Sequence, residues 1–202
     1  MTKNRLDRRL AAILAADVVG FSREMHEDED GTMLRLKRLL SEIVRPEIEA
    51  HEGRVFKEIG DGVLAEFPSA VGAALAAEAI RTRLRNSDIG LELRIGLHLG
   101  DVMVRDEDLF GDGVNVAARL QGEAKPGEIL TSSAFAEQAR RKSGLDFVAV
   151  GQRTLKNIPK PVDVFALGGD SPMVVSGRSW LKPVLAVLVI VALGAVSSGF
   201  WV

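Results

Sequence analysis

A hairpin pattern at residues 55–67 limits the folds open to this chain more than any other stretch. Apolar residues alternate on both sides of Gly60-Asp61-Gly62, at Val55, Ile59, Val63, Ala65 and Phe67. Alternation with a period of two is typical of β-strands, and glycines in a turn tolerate positive φ. The pattern predicts a β-hairpin with Asp61 at its tip and Lys57 on its first strand. A turn aspartate alone is most often solvated, but a second aspartate, Asp17, ends another apolar run and indicates a shared site.

The order of the predicted elements favours an α+β fold. A continuous apolar run at 11–19 is typical of a central strand, and the alanine-rich stretch 70–85 predicts a helix. A further strand is expected at 91–100, with a turn at Asp101 toward a shorter strand at 102–104. Strands mixed with helices and hairpins argue against a doubly wound parallel sheet. The beginning of the chain matches a ferredoxin-like βαββαβ core, extended by extra C-terminal strands.

Composition excludes several classes of function. Lys and Arg total 26 and Asp and Glu total 28, so the net charge of −2 gives no electrostatic reason to expect nucleic-acid binding. The sequence contains no cysteine, which excludes disulfides, thiolate catalysis and cysteine-ligated metals. The three histidines are scattered and form no ligand cluster. His98 lies in an apolar strand pattern, and we expect it to be a structural residue.

The segment 182–202 predicts one C-terminal transmembrane helix. It carries no charged residue from Pro183 onward, and about 20 apolar residues cover the roughly 30 Å hydrocarbon core of a bilayer. Aromatic residues suited to the membrane interface flank it, at Trp180, Phe200 and Trp201. The alternative, a buried core helix, is disfavoured because no other stretch of the chain is similarly hydrophobic.

The expected organisation has four parts. An N-terminal arm at 1–10 precedes a globular domain at 11–167, which a polar linker at 168–181 joins to the transmembrane helix. Arg178 and Lys182 lie just before the span, and positively charged flanks stay on the cytoplasmic side. The globular domain is therefore expected in the cytoplasm, tethered at its C-terminus.

Asp17 and Asp61 together predict a metal site. Each ends or caps a strand of the presumed sheet, and two facing carboxylates ionise cheaply only with a cation between them. An all-oxygen ligand set favours Mg²⁺ or Mn²⁺, which completes its shell with phosphate oxygens and water. Backbone N–H groups at the strand-to-helix turn Gly20-Phe21-Ser22 are suited to phosphate. The pattern predicts two-metal phosphoryl chemistry on a nucleoside triphosphate.

A second constellation lies in the segment 108–119. Asn115 and Arg119 are four residues apart on a predicted helix and share a face, which in most proteins is only a solvated polar surface. An arginine is nevertheless suited to stabilising charge on a transferring phosphoryl group. Lys57 donates to an acceptor and Asp108 accepts from an exocyclic amine, so the two could read a base edge and would favour adenine over guanine.

The chain resembles the catalytic domain of class III nucleotidyl cyclases, of the bacterial adenylate cyclase type. The matching segments are Ala16-Asp17-Val18-Val19-Gly20-Phe21-Ser22, Lys57-Glu58-Ile59-Gly60-Asp61-Gly62, Arg94-Ile95-Gly96-Leu97-His98-Leu99-Gly100 and Asp108-Leu109-Phe110-Gly111-Asp112-Gly113-Val114-Asn115-Val116-Ala117-Ala118-Arg119-Leu120. Any one of these motifs is weak, but four in register over roughly residues 8–167 are highly specific.

The resemblance implies a role for each matching position. Two Mg²⁺ (or Mn²⁺) ions per active site would be held by Asp17 and Asp61, with the Val18 carbonyl as an additional ligand. The other roles are adenine selection by Lys57 and Asp108, ribose orientation by Asn115, transition-state stabilisation by Arg119 and phosphate binding by Lys156. Some relatives place an arginine where this chain has Asp101, so that feature is missing or supplied elsewhere.

The resemblance also implies an activity. The chain would be an adenylate cyclase of the bacterial inner membrane that converts ATP to 3′,5′-cyclic AMP and pyrophosphate. It would act as a homodimer with two shared sites, the metal aspartates coming from one chain and the base-selecting pair, Asn115 and Arg119 from the other. The alternatives are a catalytically silent, membrane-tethered dimerisation module and a guanylate cyclase. The second is disfavoured by Lys57 and Asp108. A diguanylate cyclase is disfavoured more strongly.

Overall fold

A computed structural model describes residues 7–105 and 108–168, which form an α+β domain built on one mixed sheet. The described elements, in chain order, are β1 (Asp7–Val18), α1 (Phe21–Glu27), α2 (Glu29–Arg38), a π-helical turn (Leu39–Val44), α3 (Arg45–Ala50), β2 (Arg54–Ile59), β3 (Gly62–Phe67), α4 (Ala70–Arg85), β4 (Leu93–Arg105), β5 (Asp108–Phe110), α5 (Asp112–Glu123), β6 (Ile129–Ser132), α6 (Ser133–Ser143), β7 (Phe147–Arg153) and β8 (Val162–Leu167).

The sheet has the strand order β2-β3-β1-β4-β6-β8-β7, and β5 pairs with β4 outside this path. The first four strands pair with one another in antiparallel fashion and are connected as βαββαβ, which is the predicted ferredoxin-like core. The pair β4–β6 is parallel, so the later strands extend the core into a mixed sheet.

The apolar run predicted as a central strand is β1, and both of its faces are buried. Ala12 and Leu14 pack in the cluster that contains the alanine-rich α4. Ala11 and Ile13 point to the opposite face and pack with residues of α5. Helices therefore cover both faces of this strand, which explains why its sequence is continuously apolar rather than alternating.

Helix α4 has the predicted bounds, Ala70–Arg85. The side chain of Ser69 caps it by accepting a hydrogen bond from the Gly72 N–H at 3.0 Å. Its alanines at 73, 74, 76 and 77 are fully buried. Small side chains at these positions let the helix approach the sheet and its neighbouring helices closely.

The predicted turn at Asp101 is wrong. Strand β4 continues without interruption from Leu93 to Arg105, and Asp101 pairs with Leu10 of β1. The long ladder between β1 and β4 supplies backbone hydrogen bonds on both sides of this position, and they hold it extended despite the glycine before it. Strand β1 begins at Asp7, so the predicted arm 1–10 includes the first strand residues.

The predicted transmembrane helix at 182–202 and nearly all of the predicted linker at 168–181 lie outside the described residues. Within residues 7–105 and 108–168, no helix is long and apolar enough to cross a membrane.

Candidate active site

Asp17 and Asp61, predicted to form a pair, lie at the same edge of the sheet. Asp17 is near the end of β1, and Asp61 sits in the turn between β2 and β3, where Gly60 adopts a φ of 61°. The backbone N–H of Val18 donates to Asp61 Oδ2 at 3.0 Å. This hydrogen bond joins the hairpin tip to the end of the central strand, at the residue that follows Asp17.

Arg94 is a site residue for which the sequence analysis proposed no role. Its Nε and Nη2 atoms donate to Asp17 Oδ1 and Oδ2 at 3.0 and 2.7 Å, a bidentate ion pair. The hydrogen bond to Asp17 raises the pKa of Arg94, and the nearby Asp61 acts in the same direction. The two residues are direct partners in the β1–β4 ladder, so a correct strand register would have revealed the contact.

The residues at this edge fit a divalent metal that also binds substrate. Both carboxylates offer oxygen atoms, the ligands preferred by Mg²⁺ and Mn²⁺. Nowhere in residues 7–105 and 108–168 do three or more acidic, histidine or cysteine side chains form a cluster able to hold a metal. Asp17 and Asp61 offer two carboxylates, and Mg²⁺ is commonly held by one or two carboxylates with substrate phosphates and water completing its shell.

The predicted phosphate-binding turn follows directly on β1. Gly20 has a φ of 67° and precedes α1, and the N–H groups of Arg23 and Glu24 donate back to its carbonyl. Phe21 and Ser22 are the first two residues of α1, so their N–H groups have no acceptor within the helix. These N–H groups lie only a few residues after Asp17, which is where phosphates bound to a metal on that carboxylate would be found.

Lys57 and Asp108, predicted as a base-reading pair, contact each other. Lys57 Nζ donates to Asp108 Oδ2 at 2.7 Å and lies 5.4 Å from the centre of the Phe110 ring. The other Asp108 oxygen accepts from the Leu109 N–H at 2.9 Å. Strand β2 has an irregular register at Phe56, between Val55 and Lys57. Both charged side chains are partly exposed, at 37% and 27%, so a ligand can reach them.

Asn115 and Arg119 lie on the exposed face of α5, one turn apart. Among the described residues, neither side chain has a hydrogen bond or ion pair, and neither is joined to Asp17 or Asp61. The opposite face of α5 packs tightly on β4, where a Cβ added to Gly96 would lie 2.2 Å from the Ala117 carbonyl oxygen. The helix is thus rigidly seated and presents two polar side chains outward.

Lys156 lies on an exposed turn between β7 and β8, next to the buried Leu155 and to Asn157, which has a φ of 64°. β8 pairs with the end of β6, and β6 runs parallel to β4 from its start. The turn therefore lies at the far end of these strands from Arg94, and one chain alone does not bring Lys156 to the two aspartates.

His98 has a structural contact, as the sequence predicts. Its Nδ1 is 2.7 Å from Ser132 Oγ, and burial lowers the pKa of its imidazole to about 4. The ring is therefore neutral at physiological pH and links β4 to the end of β6.

The chain has extensive similarity to nucleotidyl cyclases. The sequence profile of the family "Adenylate and Guanylate cyclase catalytic domain" matches residues 8–169. "Putative adenylate cyclase 3" of Rhizobium meliloti (strain 1021) is 46% identical over 171 residues, which are 82% of this chain and 29% of that protein. "Adenylate cyclase" of Streptomyces coelicolor is 36% identical over 139 residues, which are 67% of this chain and 35% of that protein. The chain thus spans about a third of the length of these two curated relatives.

A solved structure shows the same similarity in three dimensions. The crystal structure of "Adenylate/Guanylate Cyclase/Hydrolase" from Silicibacter pomeroyi superimposes with a TM-score of 0.76 at 35% identity. The match covers 82% of this chain and all of that one. The mixed sheet and its flanking helices are therefore shared by the two proteins.

Proposed function

The chain belongs to the adenylate and guanylate cyclase catalytic-domain family, and from this membership we propose that it is an adenylate cyclase. It converts ATP to 3′,5′-cyclic AMP and pyrophosphate at two sites shared within a homodimer. The names of its relatives include both adenylate and guanylate cyclases. The choice of ATP therefore rests on this chain's own residues.

The observation that carries the proposal is the contact between Lys57 and Asp108. Adenine presents an acceptor nitrogen beside an exocyclic amine, and an ammonium beside a carboxylate complements that edge. Guanine presents the opposite pattern, a ring N–H beside a carbonyl oxygen. It would place donor against donor and acceptor against acceptor, leaving buried polar groups unpaired.

The reaction is an intramolecular phosphoryl transfer. The ribose 3′-oxygen forms a bond to the α-phosphorus, the bond from that phosphorus to the bridging oxygen breaks, and pyrophosphate leaves with the electron pair. The 3′-hydroxyl proton is lost to a base, which is water or Asp17. When bound, two Mg²⁺ or Mn²⁺ ions would lower the pKa of the hydroxyl and neutralise charge on the leaving group. Asp17 and Asp61 would hold them, with the Val18 carbonyl as a further ligand.

Other residues of the chain orient the nucleotide. The N–H groups of Phe21 and Ser22 face the phosphates after the turn at Gly20. Arg119 stabilises the charge that develops on the phosphorus oxygens, Asn115 orients the ribose, and Lys156 contacts phosphate.

A homodimer is the assembly that best accounts for the positions of these groups. Asn115 and Arg119 are exposed and, among the described residues, have no side-chain partner. A two-fold axis that brings this face of α5 against the Asp17 edge of a second copy completes two equivalent sites. The same operation carries Lys156 toward the partner's site.

We also propose that residues 182–202 anchor the protein in the bacterial inner membrane, with the catalytic domain in the cytoplasm. The uncharged segment and its basic flank support this assignment. The test is fractionation of cells that express the full chain. Recovery in the membrane pellet after alkaline carbonate washing is expected, and release into the supernatant would contradict the anchor.

The activity test uses the full 202-residue chain, purified in mild detergent. It is incubated with ATP or GTP and Mn²⁺ or Mg²⁺, and cyclic nucleotides are separated by chromatography. Cyclic AMP as the main product is expected, with loss of product in Asp61→Ala. Cyclic GMP as the main product would overturn the base assignment. No product at high protein concentration, from a folded dimer, would favour the silent module.

A further inference from the structure

The guanidinium of Arg94 binds both oxygen atoms of the Asp17 carboxylate. A guanidinium that donates to both oxygens of one carboxylate must approach between them, because its two N–H bonds are parallel. The donors here are Nε and Nη2, at 3.0 and 2.7 Å. The approach between the two oxygens is also the one that a chelating cation uses. Arg94 and a metal bound in that way cannot both hold Asp17.

The charges at this edge balance differently with and without Arg94. Asp17 and Asp61 bring two negative charges, held together by the Val18 N–H that binds Asp61. Arg94 supplies one positive charge directly opposite Asp17 in the β1–β4 ladder. Its side chain and that of Asp17 are 31% and 25% exposed, so water screens their interaction only in part. Without a cation the two carboxylates at this edge would repel each other.

We propose that Arg94 is the resident counter-ion of the metal site, which neutralises Asp17 in the metal-free protein and is displaced from it when a divalent metal binds. The proposal rests on the proposed function only in placing a metal at Asp17 and Asp61. Arg94 stabilises the empty site and lowers its affinity for metal, because the metal must break a bidentate ion pair. The two carboxylates therefore keep their positions before nucleotide binds. A divalent metal without nucleotide binds this site only weakly.

The test compares metal binding by the wild-type chain, Arg94→Gln and Arg94→Lys. Mn²⁺ alone is the probe, and the free ion is counted by electron paramagnetic resonance in the absence of nucleotide. Thermal unfolding is recorded in parallel with and without Mn²⁺. Arg83→Gln is the matched control, because Arg83 also forms an arginine–carboxylate pair, with Glu47, on an exposed surface outside the site.

Without metal, Arg94→Gln is expected to unfold at a lower temperature than wild type. Added Mn²⁺ is expected to raise its unfolding temperature more than that of wild type. Its Mn²⁺ dissociation constant is expected to fall at least about threefold, since one nearby positive charge is removed. Arg94→Lys keeps the positive charge but loses the bidentate hydrogen bonding of the guanidinium. Its Mn²⁺ dissociation constant is expected to lie between those of wild type and Arg94→Gln. Arg83→Gln should leave Mn²⁺ binding unchanged. If Arg94→Gln does not fold, Arg94→Lys is compared with wild type instead, and tighter Mn²⁺ binding by Arg94→Lys supports the proposal.

Weaker, unchanged or undetectable Mn²⁺ binding by Arg94→Gln would overturn the proposal, as it would mean that Arg94 positions Asp17 rather than competes for it. An equal loss of thermal stability with and without Mn²⁺ would overturn it as well. Failure of the proposed function has a different signature. In that case no cyclic AMP forms, although Mn²⁺ binding still responds to Arg94 and is lost in Asp17→Asn.

Discussion

The ammonium nitrogen of Lys57 lies 2.7 Å from Asp108 Oδ2, although 51 positions separate the two residues in the chain. The contact forms because β5, which begins at Asp108, follows the far end of β4 and reaches β2. The hydrogen bond from Lys57 lowers the pKa of the Asp108 carboxyl. One chain therefore presents an obligate donor and an ionised acceptor side by side, which is the pair that the proposed recognition of adenine requires.

This geometry predicts a change of nucleotide preference. In Lys57→Glu/Asp108→Ser the donor becomes an acceptor and the acceptor becomes a small group that can donate. We expect kcat/KM with ATP to fall at least about 100-fold and cyclic GMP formation to rise relative to cyclic AMP, because adenine now faces unmatched polar groups. Both products are measured from equimolar ATP and GTP. Lys142→Gln, at an exposed lysine on α6, changes the net charge by the same −1 as the double variant; it is the charge-matched control and should keep the preference for ATP. An unchanged product ratio in the double variant would contradict the assignment.

Sites shared across a dimer predict complementation between two inactive variants. Asp61→Ala removes a proposed metal ligand, and Arg119→Ala removes the exposed cation of α5. A mixed dimer of the two retains one complete site, so an equimolar mixture should recover about a quarter of wild-type activity. Cyclic AMP formation is measured before and after mixing. Folded, dimeric variants that stay inactive together would show that the site lies within one chain.

The close packing of α5 on β4 predicts that adding one methyl group at Gly96 strongly destabilises the fold. A Cβ at position 96 would lie 2.2 Å from the Ala117 carbonyl oxygen and 2.3 Å from the Gln121 nitrogen, and backbone atoms cannot yield as a flexible side chain would. Gly96→Ala is expected to destabilise the protein by about 3 kcal/mol or more.

Gly122→Ala on the same helix is the control for this effect. A Cβ added at Gly122 meets no atom within 4 Å. Gly122→Ala should therefore raise the free energy of unfolding by about 0.5 kcal/mol, because alanine favours the helix. Urea unfolding measures both variants, and equal free energies of unfolding for the two would disprove the close packing.

His98 predicts a pH dependence of stability. Burial lowers its pKa from 6.5 to about 4 in the folded chain. Between these values the unfolded chain binds a proton that the folded chain does not, so this residue's effect is fully favourable above pH 6.5 and is lost as pH falls toward 4. The loss amounts to roughly 3 kcal/mol.

His98→Asn can keep a hydrogen bond to Ser132 but cannot titrate. Its free energy of unfolding should therefore fall less than that of wild type between pH 6.5 and 4.5, as measured by urea titrations at each pH. Parallel pH profiles for the two proteins would assign the acid sensitivity to other groups.

Local chemistry in the sequence was enough to predict the elements that contain Asp17, Lys57 and Asp61, but not the short strand β5 that contains Asp108. Alternation around Gly60 predicted the hairpin of β2 and β3, and the apolar run before Asp17 predicted the central strand. The bounds of α4 were also predictable, because Ser69 marks its start with a cap and its alanines favour helix. These signals act over a few neighbouring residues, so the sequence alone determines them.

The strand register was decided only by the tertiary structure. It places Arg94 opposite Asp17, carries β4 straight through Asp101 and lets β5 bring Asp108 to Lys57. Register results from the sum of many backbone hydrogen bonds and packing contacts between distant segments, and no single residue encodes it. The sequence by itself therefore determined which acidic and basic side chains the chain offers and on which local elements they lie. Only the folded sheet decided which of them meet, because a shift of one residue would have turned Arg94 to the opposite face.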